Sequence, residues 1–145
     1  MSRLSAFDII GPSMIGPSSS HTAGAAKIAN NAYNQANELD SSGIKSVEFV
    51  LYGSFAKTFW GHGTDKALLA GIMGFTEDSP EIANAEGIAK EKGLEFKFEA
   101  DFHTEDKHPN SVLIKIKMTS GNRFDFEGES VGGGEIGEVR LSQKA

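Results

Sequence analysis

With 145 residues, a net charge of −6 and a pI near 5.2, the chain is long enough for one buried core and carries no basic stripe for nucleic acid. It has no cysteine, which excludes disulfides, thiolate zinc sites and a cluster ligated by thiolates of this chain. No apolar run approaches the ~20 residues of a membrane span, and the start lacks the features of a secretory signal, so a cytoplasmic protein is expected.

After a short apolar start, Phe7-Asp8-Ile9-Ile10, the Gly-, Pro- and Ser-rich run 11–20 reads as a loop. Ala25, Ala26, Ala29, Ala32, Tyr33, Ala36 and Leu39 recur at three- and four-residue spacing and predict a helix from about His21 to Leu39 with one buried stripe. Its many alanines predict close packing against a sheet or another helix. Val47 to Tyr52 is nearly continuously apolar and reads as a mostly buried strand. Gly53-Ser54 ends it, and a short helical piece leads to Gly61-His62-Gly63-Thr64-Asp65. Thr64 is expected to N-cap a helix through Met73, with Asp65 in its first turn. Ser79-Pro80 predicts a further helix, stopped by Gly93. From Leu94 the period becomes two: Leu94, Phe96 and Phe98 alternate with Glu95, Lys97 and Glu99. Val112, Ile114, Ile116 and Met118 repeat that pattern, and Ser120-Gly121-Asn122 predicts a hairpin into a strand with Phe124 and Phe126. The polar tail 142–145 is expected at the surface or frayed. Together these elements predict one α+β domain over residues 1–145, with early helices packed as a layer on a mostly antiparallel sheet.

Several segments carry chemistry. Ser18, Ser19, Ser20, His21 and Thr22 crowd hydroxyls and an imidazole at a helix start, where unpaired N–H groups attract a carboxylate or phosphate. Simple capping by one of them is the alternative. The loop is not a phosphate-binding lysine loop, because Pro17-Ser18 stands where Lys-Ser/Thr is required. His62 lies between Gly61 and Gly63, which leaves its imidazole free to approach a ligand and exchange a proton near neutral pH; a surface-turn histidine is the plain reading. His108-Pro109-Asn110 offers two hydrogen-bonding side chains beside a stiff Pro, or merely a turn. Gly132-Gly133-Gly134 suits close backbone approach to a ligand or another chain, or a bulge. His103, among acidic residues, reads as solvated. The histidines are scattered, with no metal-binding pair among them, and no metal site is expected.

Taken together, Phe7-Asp8-Ile9-Ile10-Gly11-Pro12, Gly16-Pro17-Ser18-Ser19-Ser20-His21-Thr22-Ala23-Gly24, Leu51-Tyr52-Gly53-Ser54, Gly61-His62-Gly63-Thr64-Asp65-Lys66, His108-Pro109-Asn110 and Ser130-Val131-Gly132-Gly133-Gly134 resemble the beta chain of iron–sulfur L-serine dehydratases. The match runs in the family's order over nearly the whole chain. The resemblance implies an α+β fold similar to the allosteric substrate-binding domain of some phosphoglycerate dehydrogenases. It also implies a cysteine-rich alpha chain or domain holding a 4Fe–4S cluster, which residues 1–145 do not include, any more than the ACT domain that follows some beta chains.

By the same resemblance the reaction is the dehydration of L-serine to pyruvate and ammonia, a lyase step of amino-acid degradation and gluconeogenesis, catalysed only with the partner. His62 would be the base that takes the Cα proton and Thr64 would orient nearby. Ser18, Ser19, Ser20, His21 and Thr22 would line the substrate carboxylate site. His108, Asn110, Gly132 and Gly133 would complete the pocket or the seam between subunits. Two other readings stand beside it. A non-catalytic module sensing serine or a phosphorylated ligand would need no catalytic histidine. A pyridoxal-phosphate dehydratase would need a Schiff-base lysine, and Lys66 is the only lysine near a motif, with no such pattern around it. Assembly as a homo-oligomer is compatible with the sequence.

Overall fold

The first helix, α1, spans Gly16–Leu39 in the computed structural model, which describes residues 16–58, 63–101, 111–132 and 135–144. It begins at Gly16 rather than near His21, so Ser18–Ser20 form its first turns instead of a loop. Pro17 accounts for this: its ring is preset for a helix and its missing N–H costs nothing in the first turn. Ala25, Ala26, Ala29, Ala32 and Ala36 are fully buried, as their spacing predicts, together with Ile28. Leu39, expected in that stripe, is 50% exposed, because as the last helical residue it meets the turn into the first strand rather than the core.

Small residues let helices approach closely. Helix α2 spans Gly53–Thr58 and α3 spans Thr64–Ile72. A Cβ added to Gly71 of α3 would lie 2.6 Å from the Ala26 carbonyl oxygen and 2.8 Å from the Ala29 Cβ of α1. The two helix backbones therefore nearly touch. Asn30 seals this contact by donating from Nδ2 to the Phe75 carbonyl at 3.1 Å. Two corrections apply further along. Thr64 is the first residue of α3 and not its cap, because Gly63 takes that position with φ 83°. The helix after Ser79-Pro80 opens as a 3-10 turn, Pro80–Asn84, before α4, Ala85–Lys92. Gly93 stops α4 in the left-handed conformation, φ 73°, as predicted.

The strands are β1 (Ile44–Tyr52), β2 (Glu95–Asp101), β3 (Ser111–Met118), β4 (Arg123–Gly132), β5 (Glu135–Ile136) and β6 (Arg140–Lys144). They form one open sheet in the order β2-β1-β3-β4-β5, with β6 also pairing with β4. All pairs are antiparallel except β1 with β2, which the helical crossover through α2, α3 and α4 makes parallel. The polar tail is thus an edge strand and not frayed; its backbone groups find partners on β4 whatever its side chains prefer. The helices and the sheet make the α+β two-layer arrangement expected from the sequence. Val47, Phe49, Leu51, Ile114, Ile116, Phe124 and Phe126 line the sheet face under the helices. Gly128 of β4 is needed there, since a Cβ would come within 2.6 Å of Ile28 of α1.

At the far end the turn after α1 is tied to the hairpin between β3 and β4. Asp40 accepts hydrogen bonds from Ser120 Oγ, from Asn122 Nδ2 at 2.7 Å and from the Ser42 N–H at 2.9 Å. These donors, Ser120 first, hold its carboxyl well below the usual carboxylate range. Among the described residues no helix is long and apolar enough to cross a membrane.

Candidate functional site

The sheet register brings the chemistry-bearing segments to one end of the molecule. Tyr52 pairs with Asp101, Leu51 with Val112, and Ser111 with Glu129. The C-terminal ends of β1, β2 and β4 and the N-terminal end of β3 therefore lie side by side. Ser111 and Ser130, which border two of the motifs, lie at this end.

Two helices start at the same place. Gly24, in the first half of α1, rests against Ser130 of β4: a Cβ there would stand 3.0 Å from Ser130 Oγ. A side chain there would require Ser130 to give by a few tenths of an ångström. Thr22, two residues earlier, lies against the start of α3, with its Oγ1 3.5 Å from where a Cβ of Gly63 would be. Thr22 and Gly63 are thus neighbours, although they are far apart in sequence.

Burial sharpens the picture. Thr22, Ser111, Ser130 and Thr64 are the buried polar side chains among the described residues. Thr22 and Thr64 lie within motifs, Ser111 follows one and Ser130 opens one, and all four sit at this end. The Ser130 hydroxyl donates to the Glu135 carbonyl at 3.5 Å, across the irregular pairing at Gly132. Thr64 differs from the rest. It is fully buried, yet its Oγ1 has no hydrogen-bond partner among the described residues. Leaving a buried hydroxyl unpaired costs about 1–3 kcal/mol. Its helix can absorb that cost only if something else in the fold, or a ligand, repays it.

The two helix starts differ in charge. The first turn of α1 has no acidic residue, so its free N–H groups and positive dipole end are open to an anion. The first turn of α3 holds Asp65. Burial, the larger effect, pushes the Asp65 carboxyl above its ordinary value of 3.8, with Glu86 of α4 adding to it. A second anion would be unwelcome at α3.

Of the residues singled out from the sequence, Thr22 and Thr64 are described in full and stand together. Only the backbone of Ser18, Ser19, Ser20, His21 and Gly132 is described: the first four in the opening turns of α1, the last at the end of β4. His62, His108, Asn110 and Gly133 lie outside the described residues, as do His103 and the start 1–15. Ser130 and Ser111 were missed. The signal for Ser130 was present, since it opens the Gly132–Gly134 segment, but a lone serine before glycines does not announce its burial. Among the described residues no cluster of His, Asp or Glu is arranged to hold a metal.

The family model for the serine dehydratase beta chain matches residues 5–140. The chain is 45% identical over 142 residues to the L-serine dehydratase beta chain of Peptoniphilus asaccharolyticus, covering 98% of this chain and 62% of that one. It is 42% identical over 145 residues to the probable L-serine dehydratase beta chain of Bacillus subtilis (strain 168), with the same coverage of 98% and 62%. An 84-residue stretch, 57% of this chain, is 43% identical to 18% of an L-serine dehydratase of Streptomyces coelicolor. The chain thus spans about 62% of the length of the two beta chains it resembles. With a family model matched across residues 5–140 and two beta chains 42–45% identical over nearly its whole length, the chain belongs to the serine dehydratase beta chain family.

Proposed function

We propose that this chain is the beta component of an L-serine dehydratase and that it works only with a cysteine-rich alpha partner carrying a 4Fe–4S cluster. L-Serine loses its Cα proton and its hydroxyl as water to give aminoacrylate, which tautomerises and hydrolyses to pyruvate and ammonia. The observation that supports this reading is the buried Thr64 hydroxyl, which has no partner among the described residues and follows Gly63, against which Thr22 lies. With no cysteine, this chain has no thiolate to offer the cluster, which falls to the alpha partner to hold.

The chain's own part is to hold and deprotonate the substrate. The start of α1, with Ser18, Ser19, Ser20, His21 and Thr22, takes the substrate carboxylate, since its first turn offers donors and no competing acid. Thr64 supplies its unused hydroxyl to the bound molecule and fixes its rotation. His62, two residues before Thr64, is the base for the Cα proton. His108, Asn110, Gly132 and Gly133 close the pocket or form the seam with the partner.

The test is His62→Asn in the complex reconstituted with the alpha partner. General-base catalysis is worth about 10²–10⁴-fold, so kcat should fall at least about a hundredfold while serine affinity changes much less. Near-normal kcat with a raised KM would make His62 a binding residue and place the base elsewhere. A purely sensing module would use the same hydroxyls but would be indifferent to this substitution.

A further inference from the structure

Gly24 closes one of the motifs and Ser130 opens another, and the proposed chemistry uses neither. Both stand where their residue type is a poor choice for stability. Gly24 lies inside the 24-residue helix α1, where glycine is a weaker helix former than alanine. Ser130 is 4% exposed and faces the helices, in line along β4 with Phe124, Phe126 and Gly128. Its bond to the Glu135 carbonyl, at 3.5 Å, is at the limit of hydrogen bonding and does not account for a buried hydroxyl.

Their mutual contact does. A Cβ on Gly24 would lie 3.0 Å from Ser130 Oγ and 3.3 Å from Ser130 Cβ, so the side chain of Ser130 sits in the notch that Gly24 leaves. One helical turn later the roles reverse: Ile28 of α1 sits in the notch of Gly128, where a Cβ would come within 2.6 Å of it. The spacings match, since four helical residues and two strand residues each advance about 6–7 Å. Helix and strand thus interlock at two successive points, with the glycine on the helix at one and on the strand at the other. An interlock of this kind fixes both the height of α1 over β4 and its register along it. The Gly24–Ser130 point is the one nearer the site. Thr22, against Gly63, is two residues away, and the backbone of Ser18 is about 9 Å further along the helix.

We propose that Gly24 and Ser130 are positioning residues for the substrate, holding the start of α1 where its donors meet the carboxylate. The inference rests on the reading that this helix start takes that carboxylate. A methyl on Gly24 would need a few tenths of an ångström of room. Since β4 is held by β3 on one side and by β5 and β6 on the other, the helix start is what moves. A misplacement of 1 Å can cost on the order of 10²-fold, so a shift of this size should cost at least about threefold. The loss belongs in KM, because the carboxylate is held alike before and during the reaction.

Steady-state kinetics of the reconstituted complex carrying Gly24→Ala tests it. Alanine is the better helix former, so a glycine without a positioning role would leave KM unchanged and the chain at least as stable. The expected result is a KM for L-serine raised at least about threefold, with kcat within about twofold. Adding Ser130→Gly to this variant removes both crowding atoms and should return KM to within about twofold of its original value. Should circular dichroism show the double variant unfolded, Gly24→Ala with Ser130→Ala, which removes the nearer atom, takes its place. Amide NMR of the full 145-residue chain gives a readout apart from turnover. Gly24→Ala should move the signals of Ser18 and Ser19, which lie too far along the helix to feel the methyl directly, and the second substitution should move them back. Signals that stay in place, a fall in kcat alone, or a second substitution that restores nothing would overturn the interlock. Signals that move while KM does not would show that the carboxylate binds elsewhere, which overturns the reading of the site and the proposal with it. A complex that makes no pyruvate even unaltered would refute the reaction, and the NMR arm would then judge the interlock by itself.

Discussion

At Thr64 function and stability pull in opposite directions. Its hydroxyl is buried without a partner among the described residues, which costs about 1–3 kcal/mol that an apolar group of the same shape would not. Thr64→Val should therefore raise the stability of the isolated chain by about 1–2 kcal/mol, read from the urea midpoint. The same change should lower kcat/KM for L-serine in the reconstituted complex by at least about tenfold, through the lost contact to substrate. A lower midpoint would mean that the hydroxyl is satisfied in the free chain and that the site is otherwise built. The residue was legible in the sequence only in part. Thr followed by Asp reads as a cap with an acid in the first turn, and it is Gly63, at positive φ, that takes the cap and moves the hydroxyl inward. Which side of zero a glycine's φ takes is decided by what lies around it, which the string Gly-His-Gly-Thr does not contain.

Two contacts between elements decide how the helical layer is fixed to the sheet. At the first, α1 and α3 meet through Gly71, whose missing Cβ would be 2.6 Å from a backbone oxygen. Gly71→Ala should cost about 1–3 kcal/mol, since neither helix can yield without disturbing Ala26 and Ala29. Equilibrium unfolding in urea measures it, and an unchanged midpoint would show that the helices are free to part. At the second, Asp40 ties the turn after α1 to the β3–β4 hairpin. Its folded value lies below the unfolded 3.8, so its contribution is fully present above pH 3.8 and is lost as pH falls towards the lowered value. Asp40→Asn should thus lower stability near pH 6 and flatten the decline on the acid side; a parallel decline in both chains would contradict this. The alternating strands and the alanine stripe were readable because burial imposes a period. The start of α1 and the strand β6 were not. Ser-rich and polar segments have no period, and their structure follows from Pro17 in the one case and from an unpaired edge of β4 in the other.

For the whole molecule, the sequence showed which segments carry chemistry but not that they converge. Strand directions, one parallel pair and the antiparallel remainder, put the ends of β1, β2 and β4 and the start of β3 side by side, where Gly24 lets α1 sit against Ser130. Only the family resemblance, read from the motif order, anticipated a shared site. The most direct test is to measure pyruvate from L-serine under anaerobic conditions, with the chain alone, the cluster-bearing alpha partner alone, and both together. Pyruvate should form only in the mixture, with the His62→Asn mixture at least about a hundredfold slower. Turnover by this chain alone in the absence of iron, or by the alpha partner at the full rate without it, would contradict the assignment.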